Sequence, residues 1–174
     1  MGLSMIELKQ AKRIDFTGSV AGFEHPRSYD DQVLSSIRNS RGVKTLIVID
    51  RGFALRKLVP YVVQDHLNLS GSNPLVGPND PAGERFPSVN DIYITDLLSA
   101  LPRGIAAGLR PGVVPSADQL NLIRSLGADF YCYNLVPTMI VAAHAQWRVL
   151  GIVVLEGVAL DAQLLDVLQN GGGN

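Results

Sequence analysis

The residues whose types could do chemistry gather in one stretch, Asp65 to Tyr93, where His66, Asn68, Asn73 and Asp80 form a polar constellation among closely spaced turn formers. An imidazole, two amides and a carboxylate could hold a polar ligand. In turn-rich chain, however, Asn and Asp side chains commonly bond their own backbone. The steps Asn73-Pro74, Gly77-Pro78 and Asn79-Asp80-Pro81 each fix the chain locally, because proline locks its own φ and extends the residue before it. A long ordered loop follows, and in a compact domain such a loop lines a site or an interface.

Several elements must position that loop. Val43 to Ile49 is a β-branched apolar run of the kind buried on both faces of a sheet. Leu58 to Gln64 is a second apolar run, whose Pro60 suits a strand start or edge. Between Ser28 and Ser40, Val33, Leu34 and Ile37 share a helical face, Ser28 or Asp30 offers a cap, and Gly42 ends the helix. Beyond the loop, residues 94–100 are expected as a short helix and 104–114 as a strand and turn. Ser116, with Gln119 three residues on, opens a helix that Gly127 stops. Ala128 to Tyr133 and Val149 to Leu155 read as strands, Pro137 to Gln146 and Asp161 to Leu168 as helices. The segment from Met1 to Gly22 is mixed in pattern, with a short strand at Lys12 to Phe16 and a turn at Thr17-Gly18-Ser19. Strands alternating with helices predict an α/β fold, a single domain over residues 1–168 with a mixed central β-sheet flanked by helices, and a loose tail over 169–174.

Composition narrows the function classes. With 174 residues the chain can build one well-cored domain. A hydrophobic fraction of 47% with 18% charged residues reads as globular, and a formal net charge of -1 offers nothing to nucleic acid or an anionic membrane. Cys132, the single cysteine, excludes an internal disulfide framework. Glu7 and Lys9 stand where a signal peptide would need an apolar run, so a cytoplasmic protein is expected. The apolar runs are cut by Asn134, His144, Arg148 and Glu156 before reaching the roughly 20 residues that span a bilayer.

The text Asp65-His66-Leu67-Asn68-Leu69-Ser70-Gly71-Ser72-Asn73-Pro74-Leu75-Val76-Gly77-Pro78-Asn79-Asp80, followed by Gly83-Glu84-Arg85-Phe86-Pro87 and Asp91-Ile92-Tyr93, resembles the central loop of the trimeric purine nucleoside phosphorylases. The resemblance extends over most of the chain. Gly42-Val43-Lys44-Thr45-Leu46 is similar to the strand that leads into the family's Asn-Ala-Ala-Gly-Gly phosphate and base loop, and Ser125-Leu126-Gly127-Ala128-Asp129 to its Leu-Gly-Ala-Asp step. Val136-Pro137, His144-Ala145 and Arg148-Val149-Leu150-Gly151-Ile152 match its following helix and strand. A nucleoside-phosphorylase-like domain, truncated relative to the family, is implied.

Phosphorolysis in this family needs a phosphate cradled by a Gly-Ser-Gly loop, an Arg and a His, and backbone N–H groups of the Asn-Ala-Ala-Gly-Gly loop, because an anion requires convergent donors. No text in this sequence matches the Gly-Ser-Gly loop. His25 is a possible remnant of the phosphate side, though no Arg precedes it. The glycine loop corresponds to Asp50-Arg51-Gly52-Phe53-Ala54, where Asp50 would repel phosphate and Arg51 and Phe53 add bulk. Pro115 falls where the family has its purine-reading Glu, and Gly157, after Glu156, where it has its Asn. The Met-Ser dipeptide of sugar and phosphate binding corresponds to Tyr133-Asn134.

Asp50, Arg51, Tyr131, Tyr133, Asn134 and Glu156 are therefore the candidate ligand pocket, with no catalytic residue assigned and no metal or cofactor implied. Tyr131, Tyr133 and Phe53 could equally fill the vacated pocket. In the family the Phe of Arg-Phe-Pro reaches across the subunit interface, so the resemblance implies a homo-oligomer, a trimer, with Phe86, His66 and Asn73 at the interface. Three readings stay open: a non-catalytic structural or interaction protein, a nucleoside or small-molecule binder or phosphorylase of altered specificity, and a phosphorylase completed by a partner chain. Phosphate and a purine nucleoside are ligands only in the latter two.

Overall fold

The computed structural model of the chain describes residues 5–29, 31–81 and 83–170. In order they form α1 (Met5–Gln10), β1 (Lys12–Asp15), α2 (Asp31–Asn39), β2 (Thr45–Ala54), β3 (Tyr61–Asn68), β4 (Arg103–Gly108), α3 (Ala117–Ser125), β5 (Phe130–Cys132), α4 (Leu135–His144), β6 (Arg148–Leu155) and α5 (Ala162–Asn170). The three strand runs expected around residues 43–49, 128–133 and 149–155 lie in one sheet, and that sheet is mixed. Parallel pairs join β1 to β2, β2 to β6, β3 to β4 and β4 to β5, while β2 with β5 and β3 with β6 run antiparallel.

These pairings close a circuit, β2-β5-β4-β3-β6 and back to β2, with β1 added outside it. β2 is the hub. One of its edges carries β6 from Thr45 to Gly52, and the other carries β1 from Leu46 to Ile49 and then β5 from Gly52 to Ala54. Asp50 and Arg51 sit in the fork where that second edge passes from β1 to β5, beyond the carboxyl end of β1.

Several elements depart from the sequence reading. The Asp50–Ala54 stretch, expected as a degenerate glycine loop, is strand, because its backbone groups pair with β6 on one side and β5 on the other. β3 runs to Asn68, so Asp65 and His66 belong to a strand held by β4, and the long loop begins after them. Residues 94–100 form turns instead of a helix. α1 was not foreseen, although Leu8 within it is 1% exposed. α5 continues through Gln169 and Asn170, two residues into the expected tail, with Asp161 Oδ1 accepting from Leu164 N–H at its start. Residues 171–174, the rest of that tail, and Asp30, a candidate cap of α2, lie outside the described residues.

The expected capping box of α3 is present: Ser116 Oγ accepts from the Gln119 N–H and Gln119 Oε1 from the Ser116 N–H. α4 differs from an ordinary surface helix, since Leu135, Val136 and Thr138 through His144 are all buried. Burying each large apolar side chain there contributes about 1.5–3 kcal/mol, so packing holds α4 in place. Glycine lets the sheet approach it closely: a Cβ on Gly108 would stand 2.6 Å from Val136 Cβ, and one on Gly151 would stand 2.2 Å from Met139 Cε.

Candidate functional site

Asp50 is the centre of the fork. It is 1% exposed, and its carboxylate is surrounded by donors: Oδ1 accepts from Arg51 N–H at 2.9 Å and Asn134 Nδ2 at 3.2 Å, and Oδ2 accepts from the N–H groups of Asn134 and Leu135 at 2.9 Å each. Asn134 is the N-cap of α4 but makes no capping bond with its own side chain. Asp50 supplies that cap from another strand, placing a negative charge at the positive end of the helix. Burial pushes the Asp50 carboxyl up to about 6, while the bonds from Asn134, Leu135 and Arg51 pull the other way. At neutral pH it is ionised.

A second buried carboxylate stands at the end of the neighbouring strand. Asp15 pairs in register with Ile49, the residue before Asp50. It is wholly buried, and its oxygens accept from Thr17 N–H (2.8 Å), Thr17 Oγ1 (2.6 Å), Ser19 N–H (2.9 Å) and Val20 N–H (2.8 Å). His25 comes to this carboxylate, with Nδ1 3.3 Å from the Asp15 carbonyl oxygen and 3.4 Å from Oδ2. Sequence reasoning passed over Asp15. An acid at the end of a strand before Thr17-Gly18-Ser19 is the pattern of a side chain that folds back onto a turn, and it was the available signal.

The other candidates pair among themselves. Arg51 Nη1 donates to Glu156 Oε2 at 2.9 Å across the ends of β2 and β6, in water. Tyr131 stacks on Phe53 with ring centroids 4.8 Å apart, and Tyr133 meets both rings edge-on at 6.0 and 6.1 Å. The Tyr133 hydroxyl donates to the Val113 carbonyl at 2.9 Å. Asn134, which gives Asp50 two hydrogens, accepts from the Tyr29 N–H at 2.8 Å and so ties α4 to the segment before α2. The structure thus brings Asp50 to Asn134, Arg51 to Glu156 and Tyr131 to Tyr133. Tyr133 also lines a cavity of about 270 Å³ with Tyr29, Arg110, Pro74, Pro111 and Pro137.

The expected interface residues come together elsewhere. His66, Asn73 and Phe86 line one cavity of about 510 Å³ with Leu75, Pro87 and Ile140. Phe86 is 85% exposed. Asn68 and Asn73 bond their own loop: Asn68 Oδ1 accepts from the Ser70 hydroxyl at 2.6 Å, and Asn73 Oδ1 from the Leu75 N–H at 2.9 Å. Asp80 lies 3.6 Å from Arg38 of α2. No helix among the described residues is long and apolar enough to cross a membrane.

Comparison with known proteins gives a consistent result. Purine nucleoside phosphorylase 1 of Geobacillus stearothermophilus is 33% identical over 156 residues, 78% of this chain and 56% of the relative. Purine nucleoside phosphorylase 1 of Bacillus subtilis (strain 168) is 35% identical over 149 residues, 75% of this chain and 53% of the relative. The chain spans about half the length of the curated relatives it matches. Among solved structures, a Schistosoma purine nucleoside phosphorylase in complex with guanosine superposes with a TM-score of 0.68 at 23% identity, over 81% of this chain and 62% of that one. A purine nucleoside phosphorylase in complex with ribose-1-phosphate gives 0.69 at 24%, over 82% and 63%. The fold is therefore nucleoside-phosphorylase-like. No protein-family model matches the chain.

Proposed function

The chain belongs to the purine nucleoside phosphorylase family, and from that premise we propose that it is a non-catalytic member, a cytoplasmic homo-oligomer of structural or interaction role that neither binds phosphate nor cleaves nucleosides. The observation that supports this reading best is that the side chains at the would-be site are satisfied by one another. Asp50 fills the donors of Arg51, Asn134 and Leu135, Arg51 answers Glu156, and Phe53, Tyr131 and Tyr133 pack as one aromatic group. An entering phosphate would have to displace a buried carboxylate of its own sign. A purine leaving group would find Pro115 and Gly157 where the resemblance implies a Glu and an Asn.

Each lost contact of the oxyanion-stabilising type costs about 100- to 1,000-fold in rate. A coupled assay of base release from inosine and guanosine with excess phosphate tests the proposal. No turnover is expected, and a rate above about 1 s⁻¹ would overturn it. A second reading, a nucleoside or small-molecule binder of altered specificity, draws on the cavity of about 270 Å³ beside Tyr133. Thermal-shift titration with nucleosides and free bases separates the two, since a ligand of the folded state raises its apparent stability.

A further inference from the structure

β1 and β2 are neighbours and run parallel, and Asp15, the last residue of β1, pairs with Ile49, the residue before Asp50 within β2; both carboxylates are out of water. Among the described residues no lysine or arginine forms an ion pair with either carboxylate. Asp15 receives three backbone N–H groups and the Thr17 hydroxyl, and Asp50 receives three backbone N–H groups and the Asn134 amide. Convergent N–H donors of this kind, at a turn and at a helix N-terminus, are the elements from which proteins build sites for free anions. Here the anion in each is part of the chain.

We propose that Asp15 and Asp50 are tethered internal anions that saturate two donor nests, one at the carboxyl end of β1 and one beside it within β2, and that Asp50 in particular makes this site reject inorganic phosphate and other free anions. The inference deepens the proposed function and rests on it in one respect, by giving a physical reason why phosphorolysis is absent. Asp50 carries the selectivity because its nest includes the first N–H groups of α4, a helix whose ten residues align their dipoles toward it. Among the described residues no cation pairs with Asp50. The Cys132 thiol on β5 is kept protonated by burial first and by the Asp50 charge second, and the Arg51 guanidinium is turned outward to Glu156. At Asp15 the facing titratable group is His25.

The test follows the backbone amides by NMR while inorganic phosphate replaces chloride at constant ionic strength, at pH 7.5, in the full chain. In the wild type the N–H signals of Arg51, Asn134 and Leu135 are expected to stay in place. In Asp50→Asn, which keeps the shape and an acceptor but removes the charge, the same signals are expected to move saturably, with phosphate bound at least roughly tenfold more tightly, about 1.4 kcal/mol. Saturable movement in the wild type at pH 7.5 overturns the proposal, and so do unmoved signals in a folded Asp50→Asn. Should that variant not fold, the wild type at pH 5, where the Asp50 carboxyl of pKa about 6 is mostly protonated, replaces it. Phosphate then moves the three signals if the proposal holds and leaves them in place if it does not. Inosine phosphorolysis measured on the same wild-type sample keeps the two readings apart: turnover with unmoved amides sinks the proposed function and leaves the tethered-anion inference standing, and saturable movement without turnover sinks the inference and the absence of phosphate binding while the absence of catalysis stands.

Discussion

The Tyr93 hydroxyl and the Nδ1 atom of His66 are hydrogen-bonded to each other across the base of the long loop. His66 lies in β3, two residues before the strand releases the chain at Asn68, and Tyr93 lies where the chain returns to bridge Val149 of β6. The pair clasps the two ends of the segment that presents Phe86. Burial pushes the His66 pKa down, against the pull of Asp65, and burial, helped by Asp65, pushes that of Tyr93 up, so a neutral imidazole accepts and a phenol donates. Tyr93→Phe removes the donor from a half-buried imidazole and is expected to cost about 1–3 kcal/mol in urea-unfolding measurements. A loss below about 0.3 kcal/mol would show that the clasp contributes nothing to the fold.

The pH dependence of stability carries two contributions of opposite sign. The folded pKa of His66 lies below its ordinary 6.5, so the unfolded chain takes up the proton first and stability falls as pH drops below about 6.5. The folded pKa of Asp50 lies at about 6, above its ordinary 3.8, so the folded chain takes up the proton first and stability rises as pH drops from about 6 to about 4. The second contribution is on the order of 1–3 kcal/mol. In urea-unfolding series over pH 4 to 7, Asp50→Asn is expected to lose this gain while keeping the fall set by His66. Parallel curves for variant and wild type would mean that Asp50 does not titrate in that window.

Sequence reasoning read the scaffold further than the site, for a physical reason. The β-branched run before Asp50, the Ser116 capping box and the apolar strand from Val149 are decided by local pattern, and each forms as expected. The boundaries that failed are those settled by partners far along the chain: Asp50 to Ala54 is strand because β5 and β6 flank it, and His66 because β4 does. In the candidate site the residue positions were legible from the resemblance, but not their pairing. That Asp50 caps a helix starting 85 residues later follows from the closure of the sheet, which no local window contains.

Gly108 offers a test of how closely α4 seats on the sheet. Its Cβ position is occupied by Val136 of α4, at 2.6 Å from Val136 Cβ. Gly108→Ala is expected to lower stability by about 1–3 kcal/mol through overpacking, because the obstacle is a branched side chain close to the helix backbone. Adding Val136→Ala should recover part of the loss, giving a double-mutant coupling above about 0.5 kcal/mol, whereas strictly additive effects would place the contact elsewhere.

The last prediction concerns assembly. Phe86 is 85% exposed and Val76, which lines the same cavity, 82%, and exposed apolar side chains grouped in this way are the kind of surface that a partner covers. If a second copy covers this face, Phe86 is a buried aromatic anchor in the assembly, and truncating it removes one of the few contacts that carry most of the binding free energy, about 2 kcal/mol or more. Within one chain Phe86 touches little, with the Arg85 guanidinium 5.9 Å from its ring centre, so Phe86→Ala should leave the melting of the isolated fold nearly unchanged. Light scattering at tens of micromolar is expected to find a trimer for the wild type and smaller species for Phe86→Ala. A wild type that scatters as a monomer would remove the reason for the exposed loop, and a variant as fully trimeric as the wild type would move the interface to another face.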